Sequence, residues 1–141
     1  MATVERFEDL DCWQTARELS RRIYSFSASG GFSKDFGLRD QMRRSAVSVM
    51  SNIAEGFESR TRPLFLDFLG RAKASAGELR AQLYIALDAG YVTESEFDEM
   101  RDLAEKVSAQ LSRLSAYLRT APTSEDVREH LPPYDDPTFN V

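Results

Sequence analysis

The chain has 141 residues, a formal net charge of −5 and a hydrophobic fraction of 42%, enough for one domain whose core needs no metal or disulfide staple. Its one cysteine, Cys12, excludes an internal disulfide and reads as a small buried hydrophobe in a cytosolic protein. No run approaches the roughly 18 apolar residues of a membrane span, the first six residues lack the layout of a signal peptide, and an acidic total argues against coating nucleic acid by bulk charge.

Along the chain, apolar residues recur at steps of three and four, the helical period. A first helix is expected from about Leu10 to Phe26, with Cys12, Ala16, Leu19, Ile23 and Phe26 on one face and Trp13 beside them. Ser27-Ala28-Ser29-Gly30-Gly31 then reads as a flexible break. The second helix is expected from about Leu38 to Ala54 on Leu38, Met42, Ala46, Val49 and Ile53, and a further break spans Gly56 to Pro63. Pro63 suits the first turn of a third helix, because its missing N–H would have no partner there. That helix presents Phe65, Leu69, Ala72, Ala76, Leu79, Leu83 and Ala86, and Gly90 ends it as a left-handed cap. Thr93-Glu94-Ser95-Glu96 forms a capping box that opens the fourth helix, whose stripe runs through Phe97, Met100, Ala104, Val107, Leu111, Leu114 and Leu118 until Pro122.

After Ala121 the apolar rhythm stops, and an extended or disordered tail is expected; a short turn near Ser124 to His130 would bury little alone. The fold class is therefore all-α, an antiparallel up-down-up-down four-helix bundle over residues 1–120 followed by an acidic, Pro-containing tail over 121–141. The charge divides the same way. Residues 1–120 hold 17 basic and 18 acidic groups, while residues 121–141 hold one and five. The bundle is thus close to neutral, and the tail could shield its arginines from a polyanion.

The polar residues carry further patterns. On the second helix Gln41, Arg44, Ser48, Asn52 and Glu55 share one face at steps of three and four, and Arg71, Ser75, Glu78 and Gln82 do the same on the third. Most are short or amide side chains. They read either as a hydrogen-bonded seam, between the helices or across a subunit boundary, or as an ordinary wet surface. The third helix also carries a ridge of the smallest residues, Gly70, Ala74, Gly77 and Ala81. Glycine inside a helix costs about 1 kcal/mol relative to alanine, a cost best tolerated where another backbone comes close. That neighbour is either the second helix or a helix of another subunit.

Arginine outnumbers lysine fifteen to three, with Arg17, Arg21 and Arg22 clustered on the first helix and Arg39, Arg43 and Arg44 on the second. Guanidinium groups suit phosphate, which makes Arg17, Arg21, Arg22, Arg39 and Arg43 candidate polyanion contacts, but they suit carboxylates equally well and Glu18 and Asp40 stand beside them. No base-stacking aromatic pattern accompanies either cluster. For catalysis the chain offers little. His130 is the one histidine, no Gly-rich phosphate loop precedes a helix, and the carboxylates of the fourth helix crowd its first turns, where the helix dipole favours them. The expectation is no catalytic residue, no metal and no cofactor.

The run Ser51-Asn52-Ile53-Ala54-Glu55-Gly56, preceded by Gln41, Arg43-Arg44 and Ser45-Ala46-Val47-Ser48, resembles the signature of the bacterial four-helix-bundle family named after proteins encoded in intervening sequences of 23S ribosomal RNA. Phe7-Glu8-Asp9-Leu10 with Trp13-Gln14 and Ala16 resembles the family's opening. Ala72-Lys73-Ala74-Ser75 with Glu78-Leu79 and Gln82-Leu83 resembles its third helix, and Gly90-Tyr91 the turn before the last one. Met50 stands where the family often has proline, and Ala74 where it often has glycine. The resemblance covers about Phe7 to Leu118 and implies a ring-forming helical bundle, commonly a pentamer. It also implies distant kinship with accessory proteins of diversity-generating retroelements, basic rings that bind nucleic acid and a reverse transcriptase. The expectation is a non-enzymatic, homo-oligomeric cytoplasmic scaffold with a protein or RNA partner and no membrane; the alternative is a nucleic-acid-binding accessory module.

Overall fold

In the computed structural model, residues 4–59 and 61–120 are described; the tail readings, with His130, lie outside them. A 3-10 turn over Phe7–Asp9 leads into α1 (Asp11–Phe26), α2 (Gly30–Lys34), α3 (Phe36–Glu58), α4 (Arg62–Asp88) and α5 (Glu94–Thr120). The four long helices are those read from the sequence, and no strand occurs among the described residues. α4 and α5 have 27 residues each, about 40 Å at 1.5 Å per residue. The connections at residues 59–61 and 89–93 are too short to carry the chain back along such a length, so α3, α4 and α5 run antiparallel in turn. α1 packs against α3 and α5, α3 against α4, and α4 against α5, which closes the bundle.

The apolar stripes meet in one core. Cys12, Ala16, Leu19 and Ile23 of α1 join Met42, Ala46, Val49 and Ile53 of α3, the Phe65-to-Ala86 stripe of α4 and the Phe97-to-Leu118 stripe of α5. Cys12 is fully buried, and burial pushes its thiol well above the ordinary range, so it packs as a hydrophobe. The helix ends follow their local chemistry. Gly90 has φ 76°; Tyr91 N–H donates to Ala86 O at 2.9 Å and Gly90 N–H to Leu87 O at 3.0 Å, the paired bonds of a Schellman cap. At the start of α5, Thr93 N–H donates to Glu96 Oε1 at 2.8 Å and Glu96 N–H to Thr93 Oγ1 at 3.1 Å, a complete capping box.

Two expected breaks are corrected. Only Ser27–Ser29 interrupts the first; Gly30, with φ 64°, opens the short α2. There Phe32, 1% exposed, enters the core and stacks on Tyr91 at 5.5 Å. Asp35 Oδ1 caps α3 through Leu38 N–H, and its Oδ2 accepts from the Tyr91 hydroxyl at 2.9 Å, tying this corner to the α4–α5 turn. Neither aromatic contact is visible in a local period. The second break is also shorter than expected, because Gly56 is helical and buried in α3. A Cβ there would lie 2.8 Å from Phe68 Cβ and 3.1 Å from Phe65 Cδ1, so Gly56 marks the close approach of α3 to α4 and not a chain end.

Candidate functional site

Because α3 and α4 approach closely at Gly56, the polar lines on their flanks come to lie side by side. Ser48 and Ser75 join the helices through a 2.8 Å hydroxyl–hydroxyl hydrogen bond. Asn52 Nδ2 donates to Ser48 O at 2.8 Å and to Ser48 Oγ at 3.0 Å, holding the Ser48 side chain in place. Above this link Gln41, Arg44, Ser45, Ser48, Ser75 and Glu78 line a cleft of about 210 Å³. Ser45 is buried and forms its floor. Gln82 Nε2 donates to Glu78 Oε1 at 3.3 Å, while Gln82 Oε1 is buried without a partner.

Two members of the expected seam stand apart from this arrangement. Arg71 turns to its own helix, 3.1 Å from Asp67 and over the Phe68 ring, and Glu55 is exposed. Within the chain the hydrogen bonds join Ser48, Asn52 and Ser75, and separately Glu78 and Gln82, while Gln41 and Arg44 line the cleft beside them. The seam is a partly filled joint: hydroxyls bonded at its base, an arginine and a glutamate on its rim.

The small-residue ridge lies elsewhere. Gly70, Ala74, Gly77 and Ala81 are all exposed, and a Cβ built on Gly70 or Gly77 meets nothing within 4 Å. The reading that α3 is the close neighbour of this ridge is thus corrected: the core stripe of α4 takes the face toward the bundle, and the ridge falls on the opposite, outward face. On the outer surface of α4 Leu64, Tyr84 and Ile85 are 48%, 50% and 56% exposed.

The arginines are separated and mostly engaged. Arg22 lies on the α5 side of α1, its NH2 group 3.1 Å from Glu18 and its Nε 2.9 Å from Glu99; the latter is an ion pair by distance, with an angle too poor for a hydrogen bond. Arg21 is 3.9 Å from Glu18. Arg39 pairs with Asp40 at 2.9 Å, donates to Ser33 O at 3.0 Å and covers the Phe36 ring. Arg43 Nε donates to Ser27 Oγ at 2.9 Å and its guanidinium stacks over Tyr24 at 4.6 Å, joining α3 to α1. Arg17 is exposed over the Trp13 ring at 5.9 Å. Arg44 lines both the seam cleft and a second cleft, of about 400 Å³, with Tyr24, Asp40, Arg43 and Val47.

A third cleft, which the sequence reading did not single out, opens between α1 and α5. Asp11, Gln14, Thr15, Glu18, Leu103, Lys106 and Gln110 line it, and its volume is about 340 Å³. Thr15 and Gln110 are buried polar residues. The signal was present: Gln110 stands three residues after Val107 and four before Leu114, inside the core period, and Asp11, Thr15, Glu18 and Arg22 repeat at four, three and four. Desolvation raises the Asp11 carboxyl from 3.8 to about 6, against the opposing pull of the Cys12 N–H and of the Lys106 and Arg113 charges. Among the described residues no group of three or more His, Cys, Asp or Glu could hold a metal ion, and no helix is long and apolar enough to cross a membrane.

Comparison with known proteins agrees with this architecture. The chain resembles in fold the crystal structure of a protein of unknown function from the S23 ribosomal protein family of Bacteroides thetaiotaomicron, with a TM-score of 0.68 and 22% identity over 74% of this chain and 97% of that one. No curated protein matches the sequence. The family described as 23S rRNA-intervening sequence protein matches residues 8–113, the span that holds all four long helices up to the last turns of α5. The chain belongs to the 23S rRNA-intervening sequence protein family.

Proposed function

We propose that the protein is a non-enzymatic, homo-oligomeric helical scaffold of the cytoplasm, ring-like and pentameric as its family resemblance implies, with a protein or RNA as its partner. The outward face of α4 carries this reading. A helix that meets the core on one side alone should be charged on the other. On α4 that face instead holds Gly70, Ala74, Gly77 and Ala81 in line, continued by the exposed Ile85 four residues on. Two interior glycines forfeit about 1 kcal/mol each against alanine, and within the chain nothing approaches them. A second copy's helix, laid along the ridge, supplies the close neighbour that would offset this cost. The rim pair Arg44 and Glu78 would then offer polar contacts beside it.

Sedimentation at micromolar concentration tests the scaffold, with native mass spectrometry to count subunits. A monomer overturns it. The nucleic-acid-accessory reading draws on a different observation: Arg17 and Arg44 have no carboxylate within 4.0 Å among the described residues. It predicts retention of RNA or DNA that weakens linearly in log[salt], and the absence of any retention at low salt removes it. Deleting residues 121–141 should raise RNA affinity if the acidic tail shields these arginines.

A further inference from the structure

Charge is spread unevenly over the bundle, and the fold gathers the positive part on one face. Residues 17–51, from the middle of α1 through most of α3, hold seven basic and three acidic groups, whereas the rest of residues 1–120 holds ten and fifteen. α1 packs against α3, so the excess lies on two adjacent helices. Arg17, Arg43 and Arg44 have no carboxylate within 4.0 Å among the described residues. Asp40, the one carboxylate lining the cleft of about 400 Å³ beside Arg43 and Arg44, is already paired with Arg39 at 2.9 Å. The same face leaves Phe36 63% exposed and Tyr24 and Val47 each 43% exposed. Unneutralised guanidinium groups next to uncovered rings suit a partner that is acidic and carries apolar side chains of its own.

The chain itself contains such a segment. The 21 residues after Thr120 hold one basic and five acidic groups, with Leu131, Tyr134 and Phe139 among them. Their excess of four negative charges equals the excess of four positive charges in residues 17–51. We propose that residues 121–141 dock along the α1–α3 face of their own chain, with Glu125, Asp126 and Glu129 beside Arg17, and Tyr134, Asp135 and Asp136 at the cleft of Tyr24, Arg43 and Arg44. The contact requires neither a second copy nor a bound polyanion, so it stands apart from both readings of function.

The length of the segment fits this path. α1 and α5 run antiparallel, because Arg22 meets Glu99 while Lys106 and Arg113 face Asp11. Thr120 therefore lies beyond the start of α1, about 32 Å along the axis from the level of Arg22 at 1.5 Å per helical residue. An extended chain of 21 residues reaches about 70 Å. At about 3.3 Å per residue, roughly seven residues reach the level of Arg17 and ten or eleven that of Tyr24. Those distances bring the first three acids to Arg17 and leave Tyr134 to Asp136 to cross onto α3. Each exposed ion pair is weak alone, but a tether holds the segment at an effective concentration in the millimolar range. Pro132, Pro133 and Pro137 reduce the conformational freedom lost on docking.

Paramagnetic relaxation tests the contact in the full-length protein. Cys12 is fully buried, so a nitroxide introduced through Asn140→Cys labels the tail selectively. The amide signals of Tyr24, Arg43 and Val47 should lose more than half their intensity, while those of Gly70 and Gly77 on the outward face of α4 keep theirs. Arg44→Glu, at an exposed position, should reduce the loss at least twofold, as should salt at about 0.5 M, which screens exposed charges. Asp135→Lys with Asp136→Lys should restore it in the Arg44→Glu background. Circular dichroism confirms that the variants fold. Spin-labelled protein mixed with isotope-labelled protein lacking the nitroxide should show no loss. No loss at the α1–α3 amides overturns the proposal, as does a loss spread over every face or one indifferent to Arg44→Glu and to salt. Loss confined to the mixed sample overturns it by assigning the contact to another copy's tail. Single-stranded RNA that shifts the Tyr24 and Val47 amides where the nitroxide bleaches neither assigns the face to nucleic acid and overturns it too.

Discussion

The α3–α4 and α1–α5 joints close different sides of one core, and they do so by opposite means. At α3–α4 a glycine removes the side chain that would hold the helices apart, and short hydroxyls then bridge the gap: Ser48 reaches Ser75 at 2.8 Å, with Asn52 behind it. At α1–α5 longer side chains stand between the helices, a cleft remains, and Asp11 Oδ2 and Gln110 Oε1 are buried with no hydrogen-bond partner among the described residues. Polar residues near a helix contact are therefore not one class. Those of the first joint are short enough to satisfy each other; those of the second keep hydrogen-bonding capacity in reserve.

That contrast can be broken at its steric point first. Gly56→Leu puts a branched side chain where even a Cβ would sit 2.8 Å from Phe68 Cβ, so a loss of about 3 kcal/mol or more is expected in urea unfolding. Unchanged stability would show that α3 and α4 can move apart freely.

The hydroxyl bridge is the next test. Ser48→Ala strands the Ser75 hydroxyl in a part-buried joint and should cost about 1 kcal/mol. Ser48→Ala with Ser75→Ala should cost less than the sum of the two single changes, because the double variant leaves neither group orphaned.

Asp11 should behave in the opposite sense. Its folded-state value lies above the unfolded one, so the native state binds more protons between about pH 4 and 6, and stability falls as pH rises through that window. Asp11→Asn should therefore stabilise the protein above about pH 6, by about 1 kcal/mol once the shift is discounted for partial solvent exposure. The gain should vanish below about pH 4, where the carboxyl is neutral in both states. A gain independent of pH in paired melts would mean that packing, and not ionisation, sets the effect.

The smallest effect on the fold of the single chain belongs to the outward face of α4. Gly77→Leu points into open space, so helix content should be retained, with only a propensity gain of about 1 kcal/mol or less. Oligomer size in sedimentation should fall, since the bulk would lie where a second copy is proposed to pack. Unfolding would instead assign the ridge to the interior of the bundle.

Much of this molecule follows from local rules. The four apolar stripes, the Gly90 cap, the Thr93–Glu96 box and the buried thiol of Cys12 each depend on residues within a few positions of one another, where period and hydrogen-bond reach suffice. The polar lines on α3 and α4 were legible for the same reason, although their separation into bonded and outlying members was not: Arg71 has a nearer partner in Asp67 on its own helix. Gln110 was visible as a polar residue at a core position, but its orphaned oxygen depends on what α1 brings opposite.

By itself the sequence determined which segments are helical, which face of each is apolar, and hence that a bundle forms. Only the tertiary structure decided what each glycine is for. Gly56, read as a break, lies at a close contact between two helices, while Gly70 and Gly77, read as contacts, face outward. The reason is physical: the absence of a side chain records that space was needed, and only the position of the neighbouring helix says whether anything occupies it.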